Sequence, residues 1–162
     1  MVYVMEFFVD GGCRGNGQPG AIGAAACCLM RKYRGSHQAR TIHLPSYPAP
    51  TNQRAEIMAI IMALEWAIEK TNELMTNPAI SVRIHSDSKY AIGCMNTWID
   101  NWVANGWVNS SGFEVANRDL IERASDLNDE VAYMGSVRYE WVPRSENQLA
   151  DEYCNDALDD LA

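Results

Sequence analysis

The chain opens on a nearly unbroken apolar run, Tyr3-Val-Met-Glu-Phe-Phe-Val9, closed by Asp10, and a run of that length bounded by turn residues predicts a buried strand. Residues 11–20 are rich in glycine and predict a loop; residues 21–30, small and apolar, predict a second buried strand, and 38–44 a third. The proline-rich stretch 45–50 leads to Thr51-Asn52, which opens a long helix reaching about Thr71. Residues 80–86 alternate as a strand, and Asp87-Ser-Lys-Tyr90 begins a helix whose N-terminal acid suits the helix dipole. Shorter helices are expected over 98–105 and 118–129. A last strand over 136–142 stops at Pro143, and Ser145-Glu-Asn-Gln148 has the capping-box pattern of a final helix. The order βββαβαααβα, hairpins first and helical crossovers later, predicts an α/β fold: a mixed sheet with helices on its faces.

Four acids break this pattern. Asp10 and Asp87 close strands, where an aspartate by itself is most often a turn or cap residue. Glu56 is followed at three, four and seven residues by Ala59, Ile60 and Ala63, so it faces the apolar stripe of the long helix, with Glu65 on the opposite side. Asp151 is followed by Cys154 and Leu158 on the inward stripe of the last helix, near that helix's positive end, while Glu152 and Asp156 occupy another face. Charged groups are seldom buried unpaired. Two carboxylates about 4 Å apart repel by roughly 4 kcal/mol at an effective dielectric near 20, so a converging set implies divalent cations or strongly raised pKa values.

The 162 residues suit one domain over 1–162, and 48% apolar with 21% charged residues is a globular composition. No stretch is long and apolar enough to span a membrane, and the N-terminus carries Glu6 and Asp10 where a signal peptide would be basic. A soluble monomer is expected, with no membrane partner. Five cysteines without a CxxC pair read as small buried hydrophobes of a reducing, intracellular compartment, except Cys13, placed in the loop after Asp10. The net charge of −8 opposes broad affinity for nucleic acid. Arg31, Lys32, Arg34 and Arg40 form one basic patch, read as a hairpin tip. Trp66 and Trp141 are placed in the core, and Trp98 and Trp102, taken alone, also read as core residues. Thr51 and Asn52 would cap a helix in any protein.

The segments Phe8-Val-Asp-Gly-Gly-Cys-Arg-Gly-Asn16, Thr51-Asn-Gln-Arg-Ala-Glu56, His85-Ser-Asp-Ser-Lys-Tyr90 and Glu146-Asn-Gln-Leu-Ala-Asp151, with Trp98, Trp102, Trp107, Val115 and Asn117 between them, resemble the type 1 ribonuclease H family over nearly the whole chain. The resemblance implies a five-stranded mixed sheet, three antiparallel strands then two parallel, and endonucleolytic hydrolysis of the RNA strand of RNA–DNA hybrids. It implies that Asp10, Glu56, Asp87 and Asp151 are catalytic and hold two Mg2+ ions, Asp10 bridging them and Mn2+ able to substitute. The products would carry 5′-phosphate and 3′-hydroxyl ends. Gly11, Cys13, Asn16, Asn52 and Gln53 would contact RNA sugars. Thr51 and Asn117, with Arg14 or Arg54 as further candidates, would grip a DNA phosphate, and Tyr90, Trp98, Trp102 and Ser110 would line the DNA channel.

Two departures stand out. Many relatives carry a histidine in the loop before the last helix; here the loop reads Val142-Pro-Arg-Ser145, and Arg144 is the candidate substitute, holding phosphate. His85 reads as a half-buried sheet residue. Between Trp102 and Trp107 the chain has Val-Ala-Asn-Gly where many relatives carry a lysine-rich handle, so weak, distributive binding is expected. A DNA-strand nuclease of transposase type is disfavoured by Thr51–Glu56 and Asn117, and a non-catalytic hybrid-binding scaffold by the presence of all four acids. A soluble α/β domain with incidental acids accounts poorly for the motifs. The initial Met and compact length favour a free-standing domain over a piece of a reverse transcriptase polyprotein.

Overall fold

The computed structural model describes residues 2–31 and 35–161. Five strands form one sheet in the order β3-β2-β1-β4-β5, with β1 (Val2–Arg14), β2 (Ile22–Met30), β3 (His37–His43), β4 (Ala79–Ser86) and β5 (Gly135–Trp141). β1, β2 and β3 pair antiparallel, and β4 and β5 join parallel on the other side of β1. The helices are α1 (Asn52–Glu73), α2 (Lys89–Gly93), α3 (Ile99–Asn105), α4 (Arg118–Met134) and α5 (Gln148–Leu161). The expected mixed sheet is present, and among the described residues no helix is long and apolar enough to cross a membrane.

Alternation along β2 explains how one strand of small residues serves two helices. Successive side chains of a strand point to opposite faces. Ala25 and Cys27 join the core under α1, where Phe7 meets Trp66 at 5.8 Å between ring centroids. Ala24 and Ala26 point the other way and pack against Cys154, Ala157 and Leu158 of α5. A second cluster, with Ile57 and Ile61 of α1 against Ile121 and Ala124 of α4, takes in Trp107 and Val115. Small side chains on β2 therefore let helices lie close on both faces of the sheet's centre.

Several local expectations change. β1 does not stop at Asp10 but stays paired with β2 through Arg14, because Gly11, Gly12 and Cys13 find ladder partners in Ala25, Ala24 and Gly23; Cys13 is in this strand, half-buried, not in a loop. α2 passes through a π-helical turn, Cys94–Trp98, directly into α3, making one continuous rod where two helices were expected. Ser145 and Glu146 lie in a single 3-10 turn, and α5 starts only at Gln148, so the capping box does not form as read. Arg40 leaves the predicted basic tip: it forms a two-bond pair with Glu69 of α1 and lies 4.1 Å over the Trp66 ring. Lys32 and Arg34 lie outside the described residues.

Helix α1 lies directly on the sheet at Gly11. A Cβ added there would sit 2.2 Å from the backbone carbon of Ala55 and 2.4 Å from the backbone nitrogen of Glu56. Only a residue without a side chain lets the first turn of α1 rest directly on β1. Gly11→Ala is expected to push α1 off the strand and lower stability by about 3 kcal/mol or more, readable as a fall in urea midpoint. An unchanged midpoint would contradict this packing argument.

Candidate active site

The site is built from four chain segments that the topology brings to one end of the sheet. β1 and β4 run parallel and in register up to Val9 opposite Ser86, so Asp10 and Asp87 emerge together where the two strands part. Glu56 comes from the turn of α1 that rests on Gly11. Asp151 comes from the first turn of α5. All four acids line one open cavity of about 320 Å3, together with Asn52, Asn155, Arg14 and Arg144.

Placement of α5 depends on Asn147, a residue the sequence reading did not single out. It is 1% exposed, and its Nδ2 donates to the carbonyl oxygen of Val9 at 2.9 Å, one residue before Asp10. The backbone N–H of Asp151 in turn donates to the Asn147 carbonyl. One buried amide thus fixes the distance between the Asp10 and Asp151 backbones. Ser88 is a second such residue: its hydroxyl donates to Glu56 Oε2 at 2.6 Å and accepts from the Ala91 backbone N–H at 3.0 Å. Ser88, not Asp87, caps α2, which leaves the Asp87 carboxylate turned to the other acids. The Asp87 carbonyl accepts from the indole N–H of Trp141 at 3.1 Å; Trp141 is 45% exposed with Lys89 5.1 Å over its ring, and so lies beside the site, not in the core as expected. Asn155, one turn beyond Asp151, donates to that carboxylate at 3.3 Å.

The electrostatics are those of crowded anions. Asp10 is only 8% exposed. Burial, then the Asp87 charge, then contact with Asp151 push its carboxyl up to about 8, against partial relief from the Gly11 backbone N–H. Burial also raises Glu56, as does Asp87, while the Ser88 hydroxyl and the Arg144 charge pull it back down. Asp87 Oδ2 is buried without a hydrogen-bond partner. An all-oxygen donor set with one buried, unpartnered carboxylate oxygen fits a hard divalent cation. Among the described residues no group of three His, Cys, Asp or Glu side chains lies close enough together to hold a metal ion by itself.

The remaining predicted residues fall into two groups. Beside the acids, Asn52 Oδ1 accepts from the Cys13 backbone N–H at 2.9 Å, and the Asn52 backbone N–H donates to Asn16 Oδ1 at 2.7 Å; Gly11 and Cys13 line the cavity. On the other flank of α1, Asn117 Nδ2 donates to the Tyr90 hydroxyl at 3.0 Å and lies 3.5 Å from Gln53 Oε1. Gln53, expected to meet RNA, thus reaches the group expected to meet DNA. Asn117 adopts a left-handed conformation, φ 63°, that asparagine tolerates, and starts α4 there. Tyr90, Trp98, Trp102 and Trp107 follow one another at 6.3, 5.9 and 6.3 Å between centroids. The π turn shifts the helical phase there, and Gly93 leaves room for the Trp98 ring, which is 40% exposed and not a core residue. Thr51 Oγ1 accepts from the Arg54 N–H at 3.1 Å, the cap any helix would use. Ser110 is exposed in the loop that Asn109 organises. His85 is buried, stacked on Phe8 and flanked by Glu6 and Glu140.

Comparison with known proteins agrees with this geometry. The RNase H family model matches residues 3–159. The ribonuclease H of Aromatoleum aromaticum is 33% identical over 159 residues, covering 96% of this chain and 90% of the relative, and that of Clostridium botulinum (strain Hall) is 33% identical over 159 residues, covering 95% of each. Among solved structures, LC11-RNase H1 in complex with an RNA/DNA hybrid superposes with a TM-score of 0.68 at 20% identity, over 97% of this chain and 98% of that one, a likeness of fold. The match runs through all five strands and the helices that carry the four acids, and on that ground the chain belongs to the RNase H family.

Proposed function

We propose that the protein cuts the RNA strand of RNA–DNA hybrids endonucleolytically, as one catalytic domain, and that Asp10, Glu56, Asp87 and Asp151 would hold two Mg2+ ions. The observation that carries this reading is the opening of four carboxylates, from four separate segments, on one cavity with a buried and unpartnered Asp87 oxygen. Family membership and the relatives named ribonuclease H support it. Bound magnesium would supply an activated water and neutralise charge on the departing 3′ oxygen, which leaves 5′-phosphate and 3′-hydroxyl ends.

The chain's own residues set up the rest. Ser88 and Asn155 each donate to one of the acids and fix which carboxylate oxygen faces the cavity. Asn16, Cys13 and Asn52, already tied to one another by hydrogen bonds, present a rigid edge for the 2′-hydroxyls of RNA. Tyr90, Trp98 and Trp102 present ring faces that suit deoxyribose, where a 2′-hydroxyl would clash. Arg144 is exposed on the cavity rim and holds a phosphate in place of the absent loop histidine.

Incubation of an end-labelled hybrid with magnesium, beside duplex RNA, duplex DNA and single-stranded RNA, is expected to show loss of the hybrid's RNA strand alone, abolished by Asp10→Asn. Cleavage that survives Asp10→Asn would refute the assignment. Arg144→Ala is expected to reduce turnover by roughly tenfold, the value of one charge-assisted contact; unchanged turnover would remove Arg144 from the site. The raised Asp10 carboxyl has a thermal signature. In the metal-free protein Asp10 keeps its proton up to about pH 8, whereas the unfolded chain loses it near 3.8. Between those values the native state binds more protons, so its stability falls as pH rises. Without magnesium, Asp10→Asn is expected to raise Tm at pH 8 and to change it little at pH 4; equal shifts at both values would exclude the proton linkage.

A further inference from the structure

We infer that Arg14 is a clamp for an RNA-strand phosphate next to the scissile one, and that Asp159 holds it in reserve until the hybrid arrives. The inference rests on the functional reading above and deepens it. Sequence alone placed Arg14 among candidates for a DNA phosphate; its place in the cavity wall favours the RNA strand. Continuation of β1 past Asp10 carries Arg14 to the wall of the acidic cavity, which Cys13 and Asn52, the residues assigned to RNA, also line. Arg54, the other candidate, stays with Asn117 and is held by both oxygens of Asp119 at 3.0 and 2.7 Å.

A cation on the wall of a cavity lined by four carboxylates does not pair with any of them. Arg14 Nη2 reaches outward instead, 2.7 Å to Asp159 Oδ1, and both side chains are largely exposed, 43% and 66%. Asp159 sits in the last turn of α5, at the negative end of the helix dipole, where an acid is unfavourable and where no basic residue of the helix offsets it. Its pairing with Arg14 is therefore its one favourable contact among the hydrogen bonds and ion pairs of the described residues. Exposed pairs of this kind are weak and readily exchanged. A backbone phosphate, with one negative charge like a carboxylate, offers the guanidinium two oxygens where Asp159 gives it a single bond. When the hybrid's backbone fills the cavity, Arg14 exchanges carboxylate for phosphate and leaves Asp159 to solvent.

Steady-state cleavage of a hybrid, with affinity measured separately by anisotropy in calcium instead of magnesium, tests the exchange. Arg14→Gln is expected to raise KM roughly tenfold, more than it lowers kcat, and to reduce the slope of log affinity against log salt by about 0.9. Arg14→Lys is expected to recover the salt slope but only part of the affinity. Asp159→Asn is expected to tighten binding roughly threefold, the size of a weak exposed pair, and to do nothing in the Arg14→Gln background. An Asp159→Asn gain that persists without Arg14 would mean simple loss of a negative charge and would overturn the proposal. So would affinity and salt slope that ignore Arg14→Gln. Failure of the native chain to cut hybrid would refute the functional reading, and the calcium series would still decide on Arg14.

Discussion

The contact between Gly11 and the first turn of α1 is the constraint on which the site depends. Glu56 reaches the acids of the sheet only because the backbone at Ala55 and Glu56 lies against β1 with no side chain between them. The same contact seats the long helix over Phe7, Val9 and Ala25 and so fixes the main core. Packing and chemistry share one residue, and a methyl group there would disturb both.

Around that contact the protein holds anions together with little neutral padding. Asn147, Ser88 and Asn155 each spend a hydrogen bond on a backbone or carboxylate of the site, and none carries charge. Burial of Asp10 beside Asp87 and Asp151 leaves its carboxyl protonated into the neutral range. That is an arrangement awaiting positive charge, since a divalent ion and a bound proton compete for the same oxygens.

The distribution of cations has a similar logic. Arg40, Arg54 and Arg123 pair with acids on neighbouring elements, Arg118 with Glu114 and Glu122 four residues to either side, and all four serve structure. Arg144 and Lys89 have no such pair among the described residues, and both stand next to the acidic cavity or to the Trp141 that supports it. The exposed Val103 and Ala104, where relatives are expected to carry lysines, add no positive charge.

Much of this was legible in the residues. Apolar runs and turn signals gave five strands in the right order, since burial on a sheet demands them locally. Helical periodicity marked Glu56 and Asp151 as inward acids, because charge on an apolar stripe is costly wherever the chain folds. What only the tertiary structure decided were features set by long-range contacts. Extension of β1 through Arg14 needs the partner strand β2; exposure of Trp98 needs the π turn and Gly93; removal of Trp141 from the core needs the Asp87 carbonyl. Capping by Ser88 rather than Asp87, the late start of α5 and the pairing of Arg14 with Asp159 likewise join residues far apart in sequence or choose among equivalent local options. The sequence determined which side chains could do chemistry, through local burial and charge; the fold decided which of them meet, because that depends on where distant backbones come to rest.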